Sequence, residues 1–248
     1  MSKKISWLGT WLSFKILKRV LVYRITGKQN EFWIQTPKKN KVNIFNRIDF
    51  ILDYCKNKNV LHIGCTDYPF TEKKLGIGSL LNPLLKQVSA NVMGIDNNKD
   101  SIEEYTKLTG DKEVYYCDII QSYPVEISSN SFDIILLSEV LEHLINPAKA
   151  LNVLHAHFTN GTQILVTVPN YAAIDGMAAS LNKKEAIHPD HYWYFSPYTL
   201  CKLFDKDKFE LHQLNFGMYY QRNTKLNMVM KSFPFNGDCI IAVLSIKK

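Results

Sequence analysis

Glu139, Glu142 and His143 stand at i, i+3 and i+4 behind an apolar run of strand length, Ile134-Ile135-Leu136-Leu137. If a helix begins there, the three side chains share one face. Two carboxylates and an imidazole so placed, joined by the distal His191, suit a hard divalent cation such as Mg2+ or Mn2+. The same groups suit proton transfer, with His191 as a general base for a hydroxyl and with His143 and Glu139 beside it. His191 lies in His188-Pro189-Asp190-His191-Tyr192-Trp193-Tyr194-Phe195. A loop of about seventeen residues comes before that segment, and a long loop behind a strand end is a natural substrate lid. The plainer reading, in which His188 and His191 only hydrogen-bond the loop, stays open.

Positioning such a cluster requires strand ends. From Val60 onward, strand and helix signals alternate. Short apolar strands are expected at Val60–Ile63, Val92–Ile95, Val114–Cys117, Ile134–Leu137 and Ile164–Val168. Phe209–Asn215 and Cys239–Ile246 follow as terminal strands, joined by a long polar and aromatic loop. A helix is expected at roughly 43–56, and others start at Asn82-Pro83, Asn146-Pro147 and Ser196-Pro197, where a capping residue precedes proline. Asp100 to Leu108 reads as a helix stopped by Gly110, and the Asn146-Pro147 helix as one ending at Asn160-Gly161. Strands separated by helices predict an α/β fold with a mostly parallel sheet covered on both faces. In such a fold ligands sit at the carboxyl ends of the strands.

Four of those ends carry polar groups. The first strand runs into His62-Ile63-Gly64-Cys65-Thr66-Asp67, where Gly64 lets backbone approach a ligand. The second ends at Asp96-Asn97, and a carboxylate there can accept two ribose hydroxyls. The third ends at Cys117-Asp118-Ile119 and the fourth at Ser138-Glu139. The order and spacing of these groups from Val60 to His143 resemble motifs I to IV of class I S-adenosylmethionine-dependent methyltransferases. The likeness continues through Ile164–Asn170 to the last strand, over roughly four fifths of the chain.

The resemblance implies a Rossmann-like, doubly wound, seven-stranded sheet whose last strand is antiparallel. It implies S-adenosylmethionine as cofactor. His62, Gly64, Cys65 and Asp67 then lie around its methionine part, Asp96 and Asn97 at the ribose, Asp118 and Ile119 at the adenine, and Ser138 and Glu139 at the sulfonium. Two departures stand out. The family usually has a carboxylate where His62 stands, and a glycine-rich turn where Cys65-Thr66-Asp67 stands. A histidine cannot reproduce acceptor-only chemistry. The Glu-x-x-Glu-His pattern with a distal histidine, here Glu139, Glu142, His143 and His191, resembles metal-dependent O-methyltransferases acting on RNA 3′ ends and on quinone precursors. A Glu-His pair at this place also occurs in relatives that use no metal.

The expected reaction is methyl transfer to a hydroxyl on a sugar or glycan intermediate, because the variant looks like a subgroup linked to bacterial glycan and envelope-polysaccharide modification. Three alternatives remain open: a phenol or quinone precursor at a membrane, the terminal ribose of an RNA, and a non-catalytic binding module built on the same fold.

Charge is concentrated at one end. The net charge is +7, yet residues 1–47 hold eleven Lys or Arg and one acid, Glu31. The remaining 201 residues hold nineteen basic and twenty-two acidic side chains, which argues against a nucleic-acid face. The reading divides the chain into a basic extension, 1–47, and a catalytic domain, 48–248. Residues 5–25 suit an amphipathic helix with bases between its apolar positions. That helix is expected either to touch a membrane surface or acceptor, or to pack on the domain. Five scattered cysteines and no CxxC pair fit a reducing cytosol, and the membrane reading of residues 5–25 would place the protein at the inner face of the membrane.

Overall fold

A computed structural model of the chain describes residues 43–158, 161–219 and 234–248. The amphipathic stretch 5–25 and the expected helix end at Asn160 lie outside these residues. In chain order the elements are β1 (Ile44–Asn46), α1 (Arg47–Cys55), β2 (Asn59–Ile63), α2 (Thr71–Gly76), α3 (Leu81–Val88), β3 (Asn91–Asp96) and α4 (Lys99–Thr109). Then come β4 (Val114–Tyr116), α5 (Val125–Ser128), β5 (Ile134–Ser138), a 3-10 turn (Leu141–His143), α6 (Pro147–His157) and β6 (Gln163–Pro169). The remainder is α7 (Ile174–Leu181), α8 (Pro197–Leu203), β7 (Phe209–Met218), a 3-10 turn (Pro234–Asn236) and β8 (Cys239–Ile246).

The strands form one sheet in the order β1-β7-β8-β6-β5-β2-β3-β4. Every pairing is parallel except those of β8, which is antiparallel to both β6 and β7. The antiparallel last strand is as expected. The strand number is eight rather than seven, because Ile44–Asn46 adds an edge strand beside β7. Three residues without a long apolar run give no legible strand signal, and they fall where the sequence reading placed the end of the extension.

Alternation along each strand divides the core in two. On one face, Leu61, Ile63, Ile135, Leu137, Ile164 and Val166 pack with Leu151 and Leu154 of α6 and Leu200 of α8. On the other, Val60, Ile134, Leu136 and Leu165 pack with Ile51 of α1 and Leu81 and Leu85 of α3. Helices therefore cover both faces, as a parallel sheet requires. The chain winds outward from β2 through β3 to β4, then restarts at β5 on the other side of β2. The β2–β5 boundary is thus the switch point, where a crevice opens at the strand ends.

Two local expectations are corrected. Asn82 does not cap α3: Leu80 does, while Asn82 is fully buried within the helix. No α-helix begins at Glu139. Its φ is +58°, in the left-handed region, and only a three-residue 3-10 turn follows. Among the described residues no helix is long and apolar enough to cross a membrane.

Candidate active site

The side of the crevice on which the sequence reading expects the cofactor is built by the ends of β2, β3 and β4. Gly64 has φ +72°, and a Cβ there would meet Val140 Cγ2 at 2.9 Å. Only glycine lets the chain turn this close to the loop after β5. The Gly64 amide donates to Ile95 O at 2.8 Å, tying the turn to β3. At the end of β3, Asp96 accepts from Thr66 Oγ1 at 2.8 Å, from the Thr66 amide at 3.3 Å and from the Asn98 amide at 3.1 Å. Its carboxylate is thereby aimed before any ligand arrives. Asn97 beside it is exposed. Asp118 borders a cavity of about 190 Å3 lined by Tyr116, Cys117, Gln121, Ser122 and Pro124, and accepts from the Ile120 amide and Gln121 Nε2. Ile119 is buried in the core.

Besides Ile119, two further residues of the sequence-derived set face inward. The Cys65 thiol packs with Leu80, Tyr105 and Val114. His62 is buried, with Nδ1 at 2.9 Å from Asn82 Oδ1, and Asn82 Nδ2 donates to the Tyr105 hydroxyl. Burial lowers the His62 pKa to about 4, the bond to Asn82 opposing it only in part. His62 is therefore a neutral member of an interior polar relay. Asp67, in the left-handed region at φ +60°, pairs with Lys74 at 2.6 Å.

The side on which the sequence reading expects the acceptor is built by the ends of β5 and β6. Glu139 turns away from Glu142 and His143: Oε1 accepts from Thr167 Oγ1 at 2.7 Å and Oε2 from the Tyr219 hydroxyl at 2.5 Å. The left-handed backbone at Glu139 breaks the helical face on which the sequence reading had put all three, so Glu139 does not join them. Ser138 Oγ accepts from Arg47 Nη1 at 2.7 Å and lies 3.3 Å from Thr167 Oγ1.

Glu142, His143 and His191 do converge, with potential ligand atoms all within 4.8 Å of one another. The loop that carries His191 is pinned to this cluster. The Tyr192 amide donates to Glu142 O at 2.8 Å, and Trp193 Nε1 donates to Leu144 O at 2.7 Å. His188 completes a group of three imidazoles, its ring 5.2 Å from that of His191 and 6.0 Å from that of His143. Glu142 is fully buried, and neither carboxylate oxygen has a hydrogen-bond partner. Burial, together with the charge of Glu139, pushes its pKa well above the carboxylate range. Burial and the neighbouring imidazoles lower the pKa of His191 to about 4.

A family model described as a methyltransferase domain matches residues 38–214. The chain belongs to that family. Solved structures show the same fold in this methyltransferase. The small RNA methyltransferase HEN1 superposes with a TM-score of 0.57 at 16% identity, over 89% of this chain and 27% of that one. An S-adenosylmethionine-dependent methyltransferase from Mesorhizobium loti superposes with 0.52 at 11% identity, over 80% of this chain and 95% of that one. No curated protein matches the sequence.

The methyltransferase crevice fits the cofactor on its own geometry. Gly64 leaves room where a side chain would clash, and Asp96 presents an aimed acceptor at the switch point. Arg47, Thr66, Thr167 and Tyr219 belong to the site and escaped the sequence reading. Thr66 carried a weak signal, lying two residues after Gly64. Arg47 and Tyr219 carried none, since their partners Ser138 and Glu139 are 91 and 80 residues away.

Proposed function

We propose that this methyltransferase transfers the methyl group of S-adenosylmethionine to a hydroxyl oxygen, with a sugar or glycan intermediate as acceptor. The observation that carries the reading is the convergence of Glu142, His143 and His191 beside a lid of exposed aromatic rings, Tyr192, Trp193 and Tyr194. Flat apolar faces next to polar groups suit a pyranose ring, which has both kinds of surface. In the reaction the acceptor oxygen attacks the methyl carbon in line with the carbon–sulfur bond. That bond breaks, S-adenosylhomocysteine leaves, and the hydroxyl proton must be taken up. Alignment supplies much of the rate.

A divalent cation fits the acceptor side. Glu142, held protonated by burial, would release its proton on binding to supply the anionic donor, and His143 and His191 would supply nitrogen donors. When bound, such an ion would lower the pKa of a coordinated hydroxyl. His191 stays neutral near pH 7, so it can ligate or accept a proton, while Trp193 and Tyr192 hold its loop against the 3-10 turn.

A methyl-transfer screen over free sugars, nucleotide sugars, phenols and a short RNA tests the reading. Turnover on a sugar hydroxyl is the expected result. Turnover confined to phenols or to an RNA terminus would replace the acceptor class, and absence of S-adenosylmethionine binding would leave only a binding module. Titration with Mn2+ should raise the melting temperature of the native protein and leave that of Glu142→Gln unmoved.

A further inference from the structure

Helix α7, Ile174–Leu181, stands at the crevice end of β6 and buries none of its residues. Its sequence nevertheless carries the stripe of a core helix. Ile174, Met177, Ala178 and Leu181 fall at i, i+3, i+4 and i+7, the spacing that normally turns toward a protein interior. Here Met177 and Ala178 are exposed, and Leu181 is 85% exposed. Among the described residues none covers this face. The chain then folds back beside the helix end, with the Lys184 amide donating to Ala179 O at 3.0 Å.

Apolar exposure continues along the loop that follows. The Tyr194 hydroxyl donates to Ala186 O at 3.1 Å, next to the exposed Ile187. Trp193 Nε1 donates to Leu144 O at 2.7 Å, next to Ile145, which is 74% exposed. The polar atoms of both rings are thus tied to backbone, and the surface they leave in solvent is mainly apolar. A soluble monomer rarely gathers such groups in one region unless something binds there.

Charge indicates what the partner is. Around α7 itself, Lys183 and Lys184 are balanced by Asp175 and Glu185. The excess lies where the chain enters. β6 and β7 run in the same direction, both antiparallel to β8, and β1 pairs with the last residues of β7. The described chain therefore begins, at Asn43, toward the same end of the sheet as α7. Residues 1–42 hold ten Lys or Arg against one acid, Glu31. An uncovered apolar stripe and a strongly basic segment joined at one end of the sheet match an anionic lipid surface, which attracts the bases and takes up the apolar side chains. We propose that the α7 face, continued by Ile187, Trp193 and Ile145, docks on an anionic membrane surface, which brings the crevice end of the sheet to the lipid.

Co-sedimentation of the full chain with vesicles tests this. The native protein should bind vesicles of phosphatidylcholine mixed with phosphatidylglycerol, and bind them less at high salt. Pure phosphatidylcholine vesicles should bind it more weakly. A double variant, Met177→Asp with Leu181→Asp, should bind the anionic vesicles about 10- to 100-fold more weakly, the size expected for losing two inserted side chains. Its melting temperature should stay unchanged, because both positions are exposed. Leu181→Ser alone should show a smaller loss of the same sign. A double variant that binds as the native protein does would leave any membrane contact to residues 1–42 and would overturn the proposal. A native protein that ignores anionic vesicles would overturn it as well. So would a dimer in solution that the double variant converts to monomer with lipid binding unchanged, since a second copy would then cover α7.

Discussion

The two halves of the crevice treat their polar groups differently. On the cofactor side, the carboxylates are already satisfied within the protein. Asp96 accepts three bonds from Thr66 and Asn98, Asp118 accepts two, and Asp67 is paired with Lys74. On the acceptor side, Glu142 lies fully buried with both oxygens unpartnered, beside His143 and His191, whose basicity burial lowers. Satisfied groups make a rigid, prepared receptor. Orphaned buried groups store a cost that a ligand must relieve. The first half needs no ligand to satisfy its carboxylates, whereas the second leaves a buried acid without a partner.

The contrast can be broken by substitution. The largest effect is expected from His191→Ala, which should lower turnover by about 10²- to 10⁴-fold while leaving cofactor affinity nearly unchanged. Steady-state rates and calorimetry on the same preparation separate the two. A parallel loss of affinity would show that the halves are not independent.

Beneath the cofactor side, His62 makes stability depend on pH. Its folded pKa of about 4 lies below the ordinary value of 6.5. The unfolded chain therefore binds the proton more readily between these values. The contribution is fully present above pH 6.5 and is lost progressively as pH falls toward 4, by about 3 kcal/mol in all. Urea midpoints across this window should fall in the native protein and flatten in His62→Gln. An unchanged slope in the variant would assign the pH dependence elsewhere.

A smaller effect sharpens the contrast from the other direction. Asp96→Ala should weaken S-adenosylmethionine by about 1–3 kcal/mol, with turnover at saturating cofactor less affected. Isothermal titration reads the first quantity, and kcat at saturation the second. The smallest effect belongs to Thr167→Val, which takes one donor from Glu139 but leaves Tyr219. It should cost about 1 kcal/mol of stability by thermal melting, with cofactor affinity held. A loss of affinity there would mean that Glu139 serves the cofactor side.

How far the sequence could be read follows the same division. Asp96, Gly64 and Asp118 were legible because each directly follows a short apolar run, so a strand end identifies it without any distant partner. Glu142, His143 and His191 were legible as residue types, and their convergence is present. Glu139 was misplaced, because a helical spacing says nothing about a single residue that turns left-handed and swings its carboxylate toward β6 and β7. His62 and Cys65 were misplaced as well. Strand alternation carries His62 to the α3 side, and the turn after Gly64 buries the Cys65 thiol, a packing outcome that residue type does not reveal.

By itself the sequence determined the alternation of strands and helices, the antiparallel final strand and the polar residues at the strand ends. These depend on local periodicity and on turn chemistry, which neighbouring residues fix. Only the tertiary structure decided that an edge strand forms at Ile44–Asn46, that Tyr219 and Thr167 claim Glu139, that Glu142 is stranded without a partner, and that Arg47 reaches the crevice. Each of these joins residues distant in the chain, and such pairings are set by the packing of the whole sheet rather than by any segment of it.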